Sequence, residues 1–226
     1  MGKTILLVED EPQARSIAQS ALSGTGYRVI ATDSIKPAWH LFSTEKPDLA
    51  IVDINLPDGS GLDFCKKIRT HPERGTTPVV ILTGQSGFET KVEGFSAGAD
   101  QYLVKPVPPQ ELVLWVEALL RRLAYDTDEG DVLKAGECEI EIKTHIVKYK
   151  GAPITNLTGK EFDLLWYLVK NRPKVLNRKQ ILSKLWHTIT VDHVVDTHLT
   201  NLRKKLPVEL SDKIQTIPGK GFRFLE

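Results

Sequence analysis

The 226-residue chain is poor in sulfur, with two cysteines and one methionine. Cys65 and Cys138 lie far apart, so they form no disulfide framework, and a reducing cytoplasm is the simpler setting. No apolar run approaches the ~20 residues that a membrane-spanning helix requires. The first run, Ile5 to Val8, is too short for a signal-peptide core and leads straight into Glu9-Asp10-Glu11. Glycine (16) and proline (13) are too scarce for a fibrous chain, and a hydrophobic fraction of 41% is too high for a disordered one. There is no large excess of one charge either, with Lys+Arg 30 against Asp+Glu 29. No internal repeat or low-complexity segment is present. These absences leave a globular, cytoplasmic protein with no membrane partner, long enough for one large domain or two small ones.

The balanced charge hides an asymmetry. Residues 1–123 are mildly acidic, residues 124–131 hold four acids and no base, and residues 132–226 hold 17 bases against 10 acids. This pattern predicts a first domain at 1–123, an acidic linker at 124–131 and a second domain at 132–226. The basic half suits a polyanionic partner, although scattered lysines also serve solubility alone.

The first half alternates strand and helix. Thr4–Val8, Arg28–Ala31, Leu49–Asp53, Val79–Thr83 and Gln101–Val104 are short apolar runs of the kind that forms buried strands. Between them, Ile17, Ala21 and Leu22 repeat at helical intervals. Ser34 stands as an N-cap before Ala38, Leu41 and Phe42. Leu62, Cys65 and Ile68 follow a glycine turn, and Leu112, Trp115, Val116, Leu119 and Leu120 follow Pro108-Pro109. The pattern predicts an α/β fold with a doubly wound, five-stranded parallel sheet and right-handed crossovers.

Polar residues stand at the strand ends. Glu9-Asp10-Glu11 follow the first strand, Asp53 ends the third, Thr83 ends the fourth and Lys105 follows the fifth. In a parallel sheet these ends share one edge, where open α/β folds bind ligands. Clustered carboxylates favour a hard cation such as Mg²⁺. With Mg²⁺ bound, Asp53 can attack phosphorus while Lys105 neutralises charge on the phosphoryl oxygens and Thr83 donates a hydrogen bond.

The second half reads differently. Glu139–Ile142 and Ile146–Tyr149 predict a small antiparallel sheet with a turn at Lys150-Gly151. Thr158 to Glu161 and Asn177 to Gln180 are capping boxes that open two helices. The first buries Phe162, Leu165, Trp166 and Val169; the second buries Ile181, Leu182, Leu185 and Trp186. A third helix carries an apolar stripe of Val191, Val195, Leu199, Leu202 and Leu206. Its other faces carry His193, His198, Thr200, Asn201, Arg203, Lys204 and Lys205. A terminal hairpin, Ile214–Ile217 with Phe222–Leu225, turns at Pro218-Gly219-Lys220-Gly221. Three helices plus a cationic hairpin predict a winged-helix α+β domain, with Thr200 and Asn201 reading bases in the major groove. Arg203, Lys204 and Lys220 would contact phosphates or the minor groove. The same segment also reads as a solvated amphipathic helix.

Taken together, these motifs resemble those of a two-component response regulator of the OmpR/PhoB class. In the first half the resemblance rests on Val8-Glu9-Asp10-Glu11, Asp53 to Gly59 with Gly61, Leu82-Thr83, Gly98-Ala99-Asp100 and Lys105-Pro106. In the second it rests on Leu157-Thr158, Glu161-Phe162, Leu164-Leu165, Val195-Asp196, His198-Leu199, Leu202 to Leu206, and Gly219 with Gly221-Phe222-Arg223-Phe224. The resemblance implies a flavodoxin-like receiver with Asp53 as phosphoacceptor. Glu9, Asp10, Asp53 and the Asn55 backbone carbonyl would bind Mg²⁺. Lys105 would bind the phosphoryl group, with Thr83 and Tyr102 as a switch pair. It implies a sensor histidine kinase and double-stranded DNA as partners, with Arg223 added to the DNA-binding set, and RNA polymerase as a further contact. It also implies a homodimer on phosphorylation, through a face that carries Lys91, Asp100, Glu111, Trp115 and Arg122. An exposed Trp115 would strengthen that interface; a buried one would be core.

The chain departs from the family pattern at Thr200-Asn201, where basic residues are common, at Pro218, often Arg, and in a short segment after Trp186. At the dimer face, Gln101 and Trp115 stand where an acid and a base are common. The alternative is a phosphorylation-independent DNA-binding regulator with a vestigial acidic site. An aspartate-dependent phosphatase of the haloacid dehalogenase type is disfavoured, because its second acid would fall at Asn55. The chain is expected to regulate transcription and to be no enzyme beyond its own phosphoryl transfer and dephosphorylation.

Overall fold

The computed structural model describes residues 2–84, 93–120, 132–142, 144–186 and 193–225. Lys91, Arg122, Val191 and the segment 124–131 lie outside them. The chain divides into two compact units, Met1–Leu123 and Ala124–Glu226.

In the first unit, β1 (Thr4–Val8), β2 (Arg28–Thr32), β3 (Leu49–Asp53), β4 (Val79–Thr83) and β5 (Gln101–Val104) form one parallel sheet, ordered β2-β1-β3-β4-β5. Every residue of β3 and β4 is buried. Strands covered on both faces show continuous apolar runs rather than alternation. The covering helices are α1 (Pro12–Gly24), α2 (Ile35–Glu45), α3 (Gly61–Arg69) and α4 (Pro109–Leu120). On one face Ala18 and Leu22 of α1 and Leu112 and Val116 of α4 pack on Ile5, Leu7, Leu49, Ile51, Val80 and Leu82. Each fully buried side chain of this size contributes about 1.5–3 kcal/mol. On α2, Trp39 stacks on Phe42 at 5.8 Å and meets Phe64 of α3 edge-on at 6.2 Å.

Two local expectations are corrected. Ile17 is 56% exposed, because the inner stripe of α1 runs through Ala18 and Leu22 instead. Ser34 occupies the N-cap position of α2 but donates its hydroxyl to Asp33. The first two α2 amides, of Ile35 and Lys36, instead donate to the Asp58 carboxylate at 2.7 and 2.9 Å. Those bonds hold the Asp58 carboxyl below its ordinary pKa.

The second unit opens with a four-stranded antiparallel sheet, ordered β9-β8-β7-β6. Its strands are β6 (Val132–Ala135), β7 (Cys138–Glu141), β8 (Ile146–Tyr149) and β9 (Ala152–Ile154). Helices α5 (Gly159–Lys170), α6 (Arg178–Leu185) and α7 (His193–Lys205) follow. Both capping boxes are formed, Thr158 with Glu161 and Asn177 with Gln180. A final hairpin pairs β10 (Ile214–Ile217) with β11 (Gly221–Phe224). Leu176 pairs with Phe222 and so attaches the hairpin to the start of α6. Gly221 has φ +135°, and a β-carbon there would stand 2.1 Å from the Leu176 carbonyl oxygen, so no larger residue fits. The helices meet on Phe162, Leu165, Trp166, Leu182, Leu185, Val195, Leu199 and Leu202, all buried. His198, expected on an outer face of α7, is instead 2% exposed, its ring 5.0 Å from that of Trp186.

Candidate functional site

Sheet register assembles the first site. Val8 pairs with Val52, Asp53 with Leu82 and Thr83 with Val104, so Glu9, Asp53, Thr83 and Lys105 stand at one edge. Glu9 and Asp53 are buried and Asp10 is exposed; their carboxylates offer three oxygens within 4.8 Å of one another. The Lys105 ammonium bonds Glu9 at 2.6 Å and also bonds Asp53. The Asn55 amide donates to the other Asp53 oxygen at 3.0 Å. Burial pushes the Glu9 carboxyl above its ordinary pKa, with Lys105 opposing and Asp53 adding to the rise. Burial alone would lower the Lys105 ammonium, but Asp53 and Glu9 hold it above its ordinary value. With the three carboxylates ionised, three acids face one ammonium, and the unbalanced charge is that of a divalent cation. Hard oxygen donors and an exposed third carboxylate fit Mg²⁺, which keeps several waters.

Local backbone fixes these groups. Asp53 is the last residue of β3, and the Gly61 amide bonds the Ile54 carbonyl at 2.8 Å to close the following loop. A β-carbon on Gly61 would stand 1.9 Å from the Asp53 carbonyl oxygen, so only glycine allows this approach. Arg15 donates to the carbonyls of Glu9 and Asp10 at 2.6 and 3.1 Å, holding the acidic loop from α1. Sequence reasoning passed over Arg15, since a lone arginine in a first helical turn is an ordinary surface residue. Thr83 is fully buried and hydrogen-bonded to the Tyr102 hydroxyl. Tyr102 is 8% exposed, and a β-carbon on Gly94 would meet its ring at 2.7 Å.

The supposed dimer face is assembled differently. Asp100 is not a surface charge: its side chain is 2% exposed and bonds Arg69 at 2.7 Å and the Val79 amide at 2.9 Å. Gln101 is also buried. Trp115 is half-buried against the core, its ring nitrogen 3.4 Å from the exposed Glu111 carboxylate.

On α7, Thr200 and Lys204 are exposed and Asn201 is half-buried; Lys220 is exposed at the hairpin tip. The Thr200 hydroxyl donates back to the Asp196 carbonyl at 2.8 Å. Two residues of the expected DNA-binding set bond within the unit instead. Arg203 donates to the Ile214 carbonyl at 2.7 Å and the Thr216 hydroxyl at 3.1 Å, binding α7 to β10. Arg223 donates to Gln215 across the hairpin at 3.0 Å. Lys205 turns inward to the buried Glu161 of the first capping box at 2.7 Å.

A family model for the response regulator receiver domain matches residues 5–117, and one for the C-terminal domain of transcriptional regulatory proteins matches 151–224. The transcriptional regulatory protein SrrA of Staphylococcus aureus is 35% identical over 235 residues, covering 99% of this chain and 96% of that protein. The chain is a response regulator of the OmpR/PhoB class. Among solved structures, a RitR mutant aligns with a TM-score of 0.75 at 28% identity, and both chains are covered in full. The response regulator DrrB of Thermotoga maritima, an OmpR/PhoB homolog, aligns over both full chains with a TM-score of 0.52 at 31% identity. This response regulator thus joins a flavodoxin-like receiver to a DNA-binding domain that serves transcription regulation. Among its described residues no helix is long and apolar enough to cross a membrane.

Proposed function

We propose that this response regulator is switched by phosphorylation of Asp53 by a sensor histidine kinase in the cytoplasm. The observation that carries the reading is the Lys105 ammonium bonded to both Glu9 and Asp53 at the sheet edge that also holds Thr83. An Asp53 carboxylate oxygen attacks phosphorus, and the phosphorus–nitrogen bond to the kinase histidine breaks with its electron pair going to the imidazole. Glu9, Asp10, Asp53 and the Asn55 carbonyl would hold Mg²⁺, which when bound would supply charge neutralisation at the phosphoryl oxygens. Lys105 exchanges its bond to Asp53 for one to a phosphoryl oxygen. Thr83 donates to another, and Tyr102 follows the Thr83 hydroxyl to which it is bonded.

The modified receiver forms a homodimer, and paired second domains bind double-stranded DNA. Thr200 and Asn201 face bases, while Lys204 and Lys220 face phosphates. RNA polymerase is a further partner at promoters. The acidic segment 124–131 links a receiver at 1–123 to a DNA-binding domain at 132–226.

Incubation with acetyl phosphate and Mg²⁺ is expected to add one phosphoryl group by intact-mass measurement, and Asp53→Asn to abolish it. Persistent labelling of the variant refutes the assignment. Unchanged DNA affinity and gene regulation in Asp53→Ala cells would favour a phosphorylation-independent regulator instead.

A further inference from the structure

Arg178 belongs to no expected contact set, yet from α6 its side chain touches two other elements. It is the first residue of α6, where the Asn177 capping box fixes its backbone. Its guanidinium grips Asp196 of α7 with two parallel bonds, Nε to Oδ2 and Nη2 to Oδ1, each 2.7 Å. The same group lies over the Phe222 ring of β11, 4.8 Å from its centroid. Phe222 in turn pairs with Leu176, two residues before Arg178.

Asp196, Thr200 and Arg203 are spaced i, i+4 and i+7, so they share one stripe of α7. Thr200 therefore sits between two attachments. Ahead of it, Asp196 is held by Arg178; behind it, Arg203 is held by β10. The arginine–aspartate pair is about one-third exposed at both partners (33% and 38%). Partial exposure keeps the pair's contribution to folding stability modest, and its planar fork defines direction sharply.

We propose that Arg178 is a positioning residue for DNA recognition: its grip on Asp196 and its cover over Phe222 set α7 and the hairpin at one mutual spacing. The inference rests on the reading of α7 as the base-reading helix. Arg178 need not touch DNA. It also neutralises the Asp196 carboxylate, which shares a stripe with Thr200 and would repel phosphates.

The test uses the full chain, a duplex selected by the wild-type protein from a random-sequence pool, and a scrambled duplex of equal length. Arg178→Lys keeps the positive charge but can form neither the fork nor the planar stack. It is expected to lose roughly tenfold in affinity for the selected duplex while keeping its affinity for the scrambled one. Asp196→Ala should reproduce that loss of selectivity, since it opens the same grip from the other side. Thermal unfolding identifies any variant that fails to fold. If Arg178→Lys retains the wild-type affinity ratio, the proposal is overturned. It is overturned equally if Arg178→Gln weakens both duplexes alike and lowers the salt slope by about one, because that is the signature of a phosphate contact. Should the wild-type chain select no duplex at all, the DNA-reading role of α7 fails first.

Discussion

Replacing Asp100 with alanine removes an internal strut. One carboxylate oxygen takes both the Arg69 guanidinium at 2.7 Å and the Val79 amide at 2.9 Å, within a pair whose side chains are 2% and 11% exposed. Arg69 keeps three further bonds, to the carbonyls of Gly98, Gly75 and Thr77. Its charge, however, loses its only ion-pair partner among the described contacts, and the buried Val79 amide loses its acceptor. Breaking a buried pair from one side costs about 3–5 kcal/mol. That is a large share of the roughly 5–15 kcal/mol by which a domain is stable. Asp100→Asn keeps an acceptor for Val79 and should cost about half as much, since only the charge is lost. Urea unfolding followed by far-UV circular dichroism measures both, at concentrations where the protein is monomeric. A loss below about 1 kcal/mol for Asp100→Ala, joined to weaker dimerisation, would refute the strut and return Asp100 to the dimer face.

Three other outcomes follow from the geometry. Gly61→Ala places a methyl group 1.9 Å from the Asp53 carbonyl oxygen, so it should destabilise the receiver by about 1–3 kcal/mol and lower the acetyl phosphate labelling rate; unchanged labelling would contradict the close approach. Asn177→Ala removes an exposed N-cap and should cost about 1 kcal/mol in thermal or urea unfolding, without altering receiver phosphorylation. Burial pushes the thiols of both Cys65 and Cys138 up to about 11 from an ordinary 9.0. At pH 8 the folded chain therefore holds roughly a hundredfold less thiolate than the unfolded one, and iodoacetamide should label it only after urea is added. The contribution of these thiols to stability is complete below pH 9 and is lost as pH rises through 11. Rapid alkylation of the native protein would contradict their burial.

The receiver strands were legible because burial on both faces leaves uninterrupted apolar runs, as in Leu49–Asp53 and Val79–Thr83, whose ends match the structure. Sequence order then brings Glu9, Asp53, Thr83 and Lys105 to one edge without any knowledge of side-chain packing. The capping boxes were legible for a similar reason, since donor and acceptor lie three residues apart. Strands β6 and β9 were missed: Val132–Ala135 has one buried residue in four and holds a lysine, while Ala152–Ile154 holds a proline and lies at the sheet edge. Long-range pairings left no local signal. Asp100 finds Arg69 across 31 positions, and Asp58 reaches the α2 amides across more than twenty. Arg203 and Arg223, expected as DNA contacts, bond within the unit, because sequence does not reveal which guanidinium groups the fold has already engaged.

The Asp58 carboxylate fastens two segments that the chain order keeps apart. The loop leaving β3 is clasped to the first turn of α2, on a flank remote from Tyr102 in sequence and in sheet order. The clasp therefore makes that loop continuous with the stem of a helix whose aromatic row, Trp39 and Phe42, meets Phe64 on α3.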